Sequence, residues 1–241
     1  MRISIVIPVF QEAARIEACL DHALAQRAPG HDIEVIVVDG GSNDGTMDRV
    51  RDRQQEVGAE RLRGIVAPRR GRARQLNAGA REAKADVLLF LHVDTQLPDD
   101  AMPRVVEAIG EYEPRADYGW FTVRIASADP RLRVASRIWS ARSRHFVSST
   151  GDQAQFFRRD FFFRVGGYPP LDLCEDLAIL RHARKLGRHA CIDTPVVTSA
   201  RRWEANGVNR TIIKMLKLRA MYHLGVRHER LAAEWRTLSR G

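Results

Sequence analysis

Residues 86–98, DVLLFLHVDTQLP, join the clearest strand pattern of the chain to a polar turn that carries a carboxylate. Residues 87–91 form an unbroken apolar run, which is typical of a strand buried on both faces of a parallel sheet. His92 and Asp94 follow where this strand would end, and open α/β sheets bind ligands beyond the carboxyl ends of their strands. Asp94 is therefore either a ligand-binding residue or an ordinary turn former that caps the next helix.

Strand and helix patterns alternate before this stretch. Residues 4–9 and 33–38 are β-branched runs that predict strands, and residues 62–67 predict a weaker third strand. Apolar residues at helical spacing fill the intervals between these runs. The order β-α-β-α predicts a parallel sheet with right-handed crossovers.

The pattern changes beyond Pro114. Residues 118–125 and 153–157 predict strands, and residues 190–192 and 196–198 predict two short ones. Two helices are also predicted, each with one apolar face toward the core. The first face consists of Met102, Val105, Val106, Ile109 and Tyr112, and the second consists of Leu132, Ala135, Ile138 and Trp139. We expect an α/β fold with a Rossmann-like nucleotide-binding sheet, mostly parallel with an antiparallel C-terminal part, and helices on both faces.

The composition is ordinary for a soluble globular protein, with 44% hydrophobic and 29% charged residues in a chain of 241. Cys19, Cys174 and Cys191 lack CxxC spacing, which argues against a zinc site and a disulfide framework. No apolar segment reaches the roughly 18 residues of a membrane span, and the N-terminal MRISIVIPVF resembles a strand, without a signal-peptide cleavage region. We therefore expect a cytoplasmic protein.

The formal net charge of +9 predicts an anionic partner, which is a nucleotide phosphate, an acidic membrane surface or nucleic acid. Nucleic acid is the weakest of these, because the sequence has no recognition motif and no interleaving of aromatic and basic residues. There is also no GxGxxG after the first strand, no GxxxxGKS/T and no GxSxG. The chain is therefore not expected to be a dinucleotide oxidoreductase or a P-loop enzyme.

Three carboxylate features end predicted strands or begin predicted helices: Asp39, Asp94 and the pair Glu175 and Asp176. A parallel sheet would bring Asp39 and Asp94 to the same edge. Such carboxylates suit a divalent ion, Mn²⁺ or Mg²⁺, that also binds phosphate oxygens. Alternatively, Glu175 only stabilises the start of its helix, because a negative charge there interacts favourably with the helix dipole.

Five segments follow one another in an order that resembles family-two glycosyltransferases with the A-type nucleotide-sugar fold. They are SIVIPVFQEAARIEACL, EVIVVDGGSNDGT, GRARQLNAGAREAKADVLLFLHVDT, GDQAQFFRRDFFFRVGGY with CEDLAILRHARKLG, and SARRW. The similarity covers roughly residues 4–203, and five motifs in order are far more specific than any one of them.

The resemblance implies a donor side that binds a nucleoside-diphosphate sugar of the UDP or GDP type. Its first loop would meet the nucleoside, and Asp39 would hydrogen-bond the base. The candidate donor-binding residues are Pro8, Val9, Glu12, Asp39, Arg72, Asn77 and Val93. Of the arginines at positions 69, 70, 72 and 74, we expect about one or two to contact phosphate, the others being solvated.

The resemblance also implies a metal and a base. Asp94 matches the second Asp of the DxD motif that binds the metal, and His92 stands where the family has the first. Asp176, preceded by Glu175, matches the presumed general base that deprotonates the acceptor hydroxyl. Attack by that hydroxyl opposite the leaving diphosphate would invert the anomeric centre.

The candidate acceptor-side residues are Asp152, Gln153, Arg202 and Trp203. Arg202 and Trp203 resemble the end of a QxxRW motif, but Ser199 replaces its Gln, and Gly40 likewise replaces the second Asp of the family's VVDDGS. We expect one glycosyltransferase domain over residues 1–241, with a donor half (1–100), an acceptor and catalytic half (101–205) and C-terminal amphipathic helices (206–241).

Residues 208–224 predict a basic amphipathic helix with Ile212, Ile213, Leu216, Ala220 and Leu224 on one face. This face either contacts an anionic membrane and a lipid-linked acceptor, or packs on the protein or on a second subunit of a homodimer. With membrane contact, the protein would lie at the inner face of the membrane. The acceptor itself is not identified by the sequence.

Two other functions share parts of this pattern. A nucleotidyltransferase would carry a glycine-rich, lysine-containing loop after the first strand, where this chain has PVFQEAAR. A non-catalytic nucleotide-binding or scaffold protein would account for the replaced acids at His92 and Gly40, but it would have no use for the pair Glu175 and Asp176.

Overall fold

The computed structural model describes residues 1–110 and 115–236. The strands are β1 (Arg2–Val9), β2 (Asp32–Asp39), β3 (Leu62–Val66), β4 (Val87–Phe90), β5 (Thr95–Gln96), β6 (Tyr118–Ala126), β7 (Phe156–Arg158) and β8 (His189–Ser199). The helices are α1 (Ile16–Ala25), α2 (Thr46–Val57), α3 (Arg72–Glu82), α4 (Ala101–Ile109), α5 (Pro130–Phe146), α6 (Arg159–Arg164), α7 (Glu175–Ala183), α8 (Arg201–Asn206), α9 (Val208–His223) and α10 (His228–Arg236), and a 3-10 turn spans Gly151–Gln153.

These strands form one mixed sheet of eight, in the order β3-β2-β1-β4-β7-β6-β8-β5, over the described residues. The first four strands of the chain pair in parallel. β7 is antiparallel to both β4 and β6, β5 is antiparallel to β8, and β6 runs parallel to β8. The predicted α/β fold class, with its parallel first half and antiparallel later part, is confirmed.

Alternate residues of the central strands supply two hydrophobic cores, one on each face of the sheet. Ile5 of β1 packs in a core with α1 and α4, and Val6 packs in the opposite core with α3 and α7. The strands are buried on both faces, which explains their continuous apolar sequences. All four residues of β4 are buried, as the apolar run predicts.

Three sequence predictions about local structure are corrected. The strand predicted over residues 153–157 begins only at Phe156, because Gln153 closes the 3-10 turn by accepting from the Thr150 amide at 3.1 Å. The two short strands predicted near residues 190 and 196 are one strand, β8. Ile138, predicted to face inward, is 60% exposed, because α5 turns Leu132 and Ala135 toward the protein instead.

Helix α9, in the C-terminal region, buries Val208, Thr211 and Leu218. Ile213, Leu216 and Leu224 of the predicted apolar face are instead exposed in the described part of the chain. None of the helices among residues 1–110 and 115–236 has the length and apolar character needed to span a membrane. Tyr112 and the end of the predicted C-terminal region, residues 237–241, lie outside the described residues.

Gly79 allows α3 to pack closely on the sheet. A Cβ at this position would lie 2.4 Å from Val6 Cγ1 and 2.9 Å from Val38 Cγ2. Those distances are shorter than any van der Waals contact, so a side chain would push the helix away from β1 and β2. The close approach positions the first turn of α3, with Arg72 and Gln75, beside the carboxyl end of β1.

We expect Gly79→Ala to lower the free energy of unfolding in urea denaturation. Overpacking of this kind costs about 1–3 kcal/mol, which outweighs the gain of somewhat less than 1 kcal/mol from the higher helix propensity of alanine. The matched test is Val6→Ala combined with Gly79→Ala, because removing the valine methyls makes room for the new Cβ. The double variant should lose less stability than the sum of the two single losses; a Gly79→Ala protein as stable as the wild type would contradict the packing argument.

Candidate active site

A cleft lies where β1 and β4 end, and α3, α5, α7, α8 and α9 contribute to its walls. Its volume is about 370 Å³. The predicted site residues that line it are Pro8, Val9, Glu12, Arg72, His92, Val93, Asp94, Asp152, Asp176, Arg202 and Trp203. The fold therefore brings together most of the candidate donor, metal, catalytic and acceptor residues.

The end of β1 is held in place by α3. The Gln75 side-chain amide donates to the backbone carbonyls of Val9, at 2.7 Å, and Val38, at 2.8 Å. These two bonds satisfy carbonyls at the ends of neighbouring strands. They fix the part of the cleft formed by Val9 and the residues after it.

Arg72 is the one arginine of the basic run that lines the cleft in the described structure. Arg70 instead places its guanidinium 3.5 Å from the centre of the Phe10 ring, a cation–π contact. Arg74 bonds back to the Arg70 carbonyl at 3.4 Å. Arg72 is thus the member of the run positioned to meet a ligand.

Four other candidates do not line the cleft: Asp39, Asn77, Gln153 and Glu175. Asp39 accepts from the amides of Gly41, at 3.0 Å, and Ser42, at 2.9 Å, and so shapes the loop after β2. Asn77 donates to the Tyr168 carbonyl at 2.7 Å and accepts from the Tyr168 amide at 3.0 Å, which ties α3 to the loop after α6. Gln153 is buried and donates to the Phe121 carbonyl at 2.9 Å.

Asp94 is the carboxylate nearest the end of β4 within the cleft. Burial raises its pKa, while the neighbouring Arg202 guanidinium lowers it and the Asp152 carboxylate raises it again. Two acids that share a partly desolvated site favour a bound cation. No group of three or more metal-ligating side chains occurs among residues 1–110 and 115–236.

A divalent ion of the Mg²⁺ type needs few protein ligands when phosphate oxygens and water complete its coordination. Asp94 and Asp152 line the same cleft, and their carboxylate oxygens are the ligands that such an ion would use. The His92 imidazole is neutral near pH 7, because burial first, and then the charges of Arg72 and Arg202, lower its pKa to about 3. It therefore has a free ring nitrogen for a ligand or a hydrogen bond.

Gly151 fits between His92 and Asp176. A Cβ on Gly151 would lie 2.6 Å from His92 Nε2 and 3.7 Å from Asp176 Oδ2. Only glycine leaves room for the imidazole here. The segment TGDQ thus brings the 3-10 turn against both the end of β4 and the start of α7.

Asp176 lies in the first turn of α7. Its Oδ2 accepts from the Gly151 amide at 2.8 Å, and its Oδ1 accepts from the Leu177 amide at 2.7 Å. Burial first, and then the charge of Glu175, raise the pKa of Asp176 to about 6, although Arg72 and the two amides lower it. A carboxylate that titrates near the working pH is suited to accept a proton.

Glu175 is 1% exposed and does not line the cleft. Its Oε1 accepts from Arg72 Nε, and its Oε2 has no partner among the described residues. The same contact raises the pKa of Arg72. Glu175 thus influences the cleft in two ways: its charge raises the pKa of Asp176, and its contact with Arg72 positions that guanidinium.

Of the acceptor-side candidates, Asp152, Arg202 and Trp203 line the cleft. Asp152 accepts from the Thr150 hydroxyl, and the Arg202 guanidinium lies 4.8 Å from the centre of the Trp235 ring. Trp203 is only 6% exposed and packs on Trp139, with ring centres 5.1 Å apart. Little of the Trp203 ring is therefore free to stack on a sugar.

The sequence reasoning missed Arg142 and Arg219, which also line the cleft. Arg142 comes from α5, and Arg219 comes from α9 within the predicted amphipathic helix of residues 208–224, so both lie outside the five segments that resemble the family motifs. Arg142 and Arg219 are brought together by the packing of α9 beside α5, and this contact cannot be predicted from the spacing of residues within either helix. The only indication of their role in the sequence was that each is a basic residue on an amphipathic helix.

A family model described as glycosyl transferase family 2 matches residues 4–166, more than half of the chain. A PGL/p-HBAD biosynthesis glycosyltransferase from Mycobacterium bovis (strain BCG / Pasteur 1173P2) is 35% identical over 166 residues, which are 68% of this chain and 62% of the relative. An undecaprenyl-phosphate 4-deoxy-4-formamido-L-arabinose transferase from Aeromonas hydrophila is 34% identical over 107 residues, which are 44% of this chain and 33% of that protein. The chain thus spans less than two thirds of the length of these curated relatives.

Solved structures share the fold. The mannosyltransferase PcManGT from Pyrobaculum calidifontis, in complex with GDP-Man and Mn²⁺, matches with a TM-score of 0.66 and 22% identity over 98% of this chain and 73% of its own. Residues 1–349 of S. aureus TarS, in complex with UDP-GlcNAc, match with a TM-score of 0.65 and 17% identity over 83% of this chain and 58% of that one. The fold, the ordered motifs and the family match lead to one conclusion: this chain is a member of glycosyltransferase family 2.

Proposed function

We propose that this chain transfers a sugar from a nucleoside-diphosphate sugar to an acceptor hydroxyl, with inversion of the anomeric centre and with the help of a divalent metal. The observation that carries the proposal is the position of Asp176, a carboxylate with a raised pKa, in the same cleft as Asp94 and Arg202. The structural relatives with GDP-Man and Mn²⁺ and with UDP-GlcNAc support a donor of this class.

The donor would bind along the carboxyl ends of β1 and β4. Pro8, Val9 and Glu12 line the cleft where the nucleoside would lie, and Arg72 and Arg202 supply positive charge for the diphosphate. A metal held by Asp94 would neutralise the charge that develops on the leaving diphosphate. The two guanidinium groups would add to that stabilisation without changing their protonation.

Asp176 would act as the general base. Its carboxylate would take the proton from the acceptor hydroxyl while the hydroxyl oxygen forms a bond to the anomeric carbon and the bond to the diphosphate oxygen breaks. The amides of Gly151 and Leu177 hold the carboxylate in one orientation. A single displacement of this kind inverts the anomeric centre.

The exposed apolar residues of α9 support contact with a lipid-linked acceptor. Ile213 and Leu216 are exposed on α9 together with Lys217, and Leu224, which follows the helix, is also exposed. A helix with this composition can rest on an anionic membrane surface from the cytoplasmic side. The Aeromonas relative is named for an undecaprenyl-phosphate substrate, which agrees with such an acceptor.

We expect Asp176→Asn to lower kcat by about 10²–10⁴-fold, the usual contribution of a general base. The measurement is release of nucleoside diphosphate from a panel of UDP- and GDP-linked sugars with Mn²⁺. Donor binding, followed by thermal shift, should stay unchanged because Asn keeps the size of the side chain and one of the two oxygens that accept from the Gly151 and Leu177 amides. The exposed Asp99→Asn serves as the control for loss of one surface charge; undiminished turnover by the Asp176 variant would remove it as the base.

The pH dependence gives a second test of the same residue. Because the base must be ionised, kcat/KM should increase with pH, with a midpoint at about pH 6, and reach a plateau at higher pH. Glu175→Gln removes the charge that raises the pKa of Asp176, so the midpoint should move to lower pH. Arg72→Gln removes the charge that lowers it, so the midpoint should move to higher pH. Shifts of both variants in the same direction would contradict this electrostatic account.

A further inference from the structure

A second cavity lies between α5, α7 and α9, and its volume is about 450 Å³. Arg142, Arg181, Arg184 and Arg219 line it, so it is called the arginine cavity here. Its remaining walls include the rings of Phe146, Tyr222 and His223. The walls thus combine a concentrated positive charge with apolar surface.

In the described structure, no carboxylate pairs directly with the arginines of the arginine cavity, although Asp152 and Asp176 in the adjoining cleft act on Arg142, and Asp176 acts on Arg219, at longer range. No carboxylate belongs to its lining, and none of the four guanidinium groups lies within salt-bridge distance of an acid in the part of the chain that the structure describes. On α5, Arg131 pairs with Asp129 at 2.6 Å and Arg144 pairs with Asp193, whereas Arg133 and Arg137 are exposed. Arg142 and Arg219 differ from exposed arginines such as Arg133 and Arg137 because both are only partly accessible to solvent.

Two of the four arginines are substantially removed from water. Arg142 Nε is buried and has no partner among the described residues, and Arg219 donates only to the Ser148 hydroxyl among the hydrogen bonds seen there. Burial first, and then the charge of Arg219, lower the pKa of Arg142 to about 10. Like charges held together in a desolvated place favour an anionic ligand.

The arginine cavity adjoins the cleft. Arg142, Leu177 and Arg219 line both, and the Asp176 carboxylate is the main favourable charge that acts on Arg219. Arg181 and Arg184 line the arginine cavity alone. A ligand held there would therefore reach the base, while the donor would occupy the cleft beside Asp94.

We propose that the arginine cavity binds a phosphate group of the acceptor, so that the acceptor is a phosphate monoester rather than a neutral sugar. This inference rests on the proposed function. Arginine presents paired donors that match phosphate oxygens. A phosphate monoester carries a charge near −2 at neutral pH, so it neutralises four guanidinium groups better than a ligand with a single carboxylate would. The phosphate belongs either to a soluble ester or to a lipid headgroup.

The experiment uses the full chain and two probes. Phenyl phosphate represents a soluble ester, and its binding is measured by titration calorimetry. Vesicles of phosphatidylcholine with phosphatidate represent a lipid phosphate, and binding is measured by sedimentation at low salt. The test variant is Arg181→Gln with Arg184→Gln, because both side chains are exposed and a folded protein is expected.

Two matched variants accompany the test. Arg133→Gln with Arg137→Gln removes the same charge from exposed positions on α5 that line neither cavity. Arg181→Lys with Arg184→Lys keeps the charge in the arginine cavity. Binding of UDP and GDP, measured on every variant by thermal shift, tests the donor site separately.

We expect at least one probe to bind the wild type and to bind the Arg181 and Arg184 glutamine variant about tenfold or more weakly, since charge-assisted hydrogen bonds are lost. The α5 variant should bind as the wild type does, and the lysine variant should keep most of the affinity. Phenyl phosphate binding identifies a soluble ester, and binding to vesicles alone identifies a lipid phosphate.

Three outcomes would overturn the inference. Neither probe binds the wild type while UDP or GDP does; both charge-removing variants weaken the probe equally; or the glutamine variant weakens nucleotide binding about tenfold, which would place the donor diphosphate in the arginine cavity. Failure of every nucleotide to bind the wild type is a different result, because it would refute the proposed function itself.

Discussion

The ion pair between Arg72 and Glu175 connects the two halves of the cleft. Arg72 begins α3, which packs on the parallel part of the sheet, and Glu175 begins α7 in the later part of the chain. Glu175 is almost wholly buried, so removal of Arg72 would leave a desolvated charge beside Asp176. Arg72 remains partly open to solvent, which screens the pair and leaves the guanidinium accessible to a ligand.

This pairing makes the electrostatics of the site depend on three charges. Glu175 raises the pKa of Asp176 and Arg72 lowers it, while the amides of Gly151 and Leu177 stabilise the carboxylate form. Burial is the largest cause that raises the pKa, and with these charges the half-buried Asp176 has a pKa of about 6. The pKa of His92 is lowered first by burial and then by the charge of the same Arg72. The close packing at Gly79 fixes the position of α3, and the Arg72 side chain on this helix in turn influences the pKa of the candidate base Asp176.

The sequence predicted the parts of this arrangement that depend on local pattern. The apolar run before His92 gave β4, and the chain order of strands placed Asp94 at the edge of a parallel sheet. The helix pattern after Cys174 likewise placed Asp176 in a first helical turn, where backbone amides are free to hold it.

The parts that depend on tertiary packing were not predictable in this way. Arg142 and Arg219 meet because α9 packs beside α5, and no spacing within either helix reports that contact. Ile138 is apolar and at helical spacing, yet it lies outside the face that α5 buries. Gln153 falls in a stretch with strand character, but its side chain satisfies the Thr150 amide and the Phe121 carbonyl, and the backbone turns there. Polar side chains that bond across elements override local propensity in such places.

The most direct test of a donor site centred on Asp94 is titration calorimetry of UDP and GDP against the wild type and Asp94→Asn, each with Mn²⁺ and with EDTA. The wild type should bind one of the nucleotides more tightly with Mn²⁺. The Asp94 variant should lose that gain and keep the metal-free affinity, because the carboxylate acts through the cation that it shares with the diphosphate. An Asp94 variant that retains the whole effect of Mn²⁺ would contradict the account.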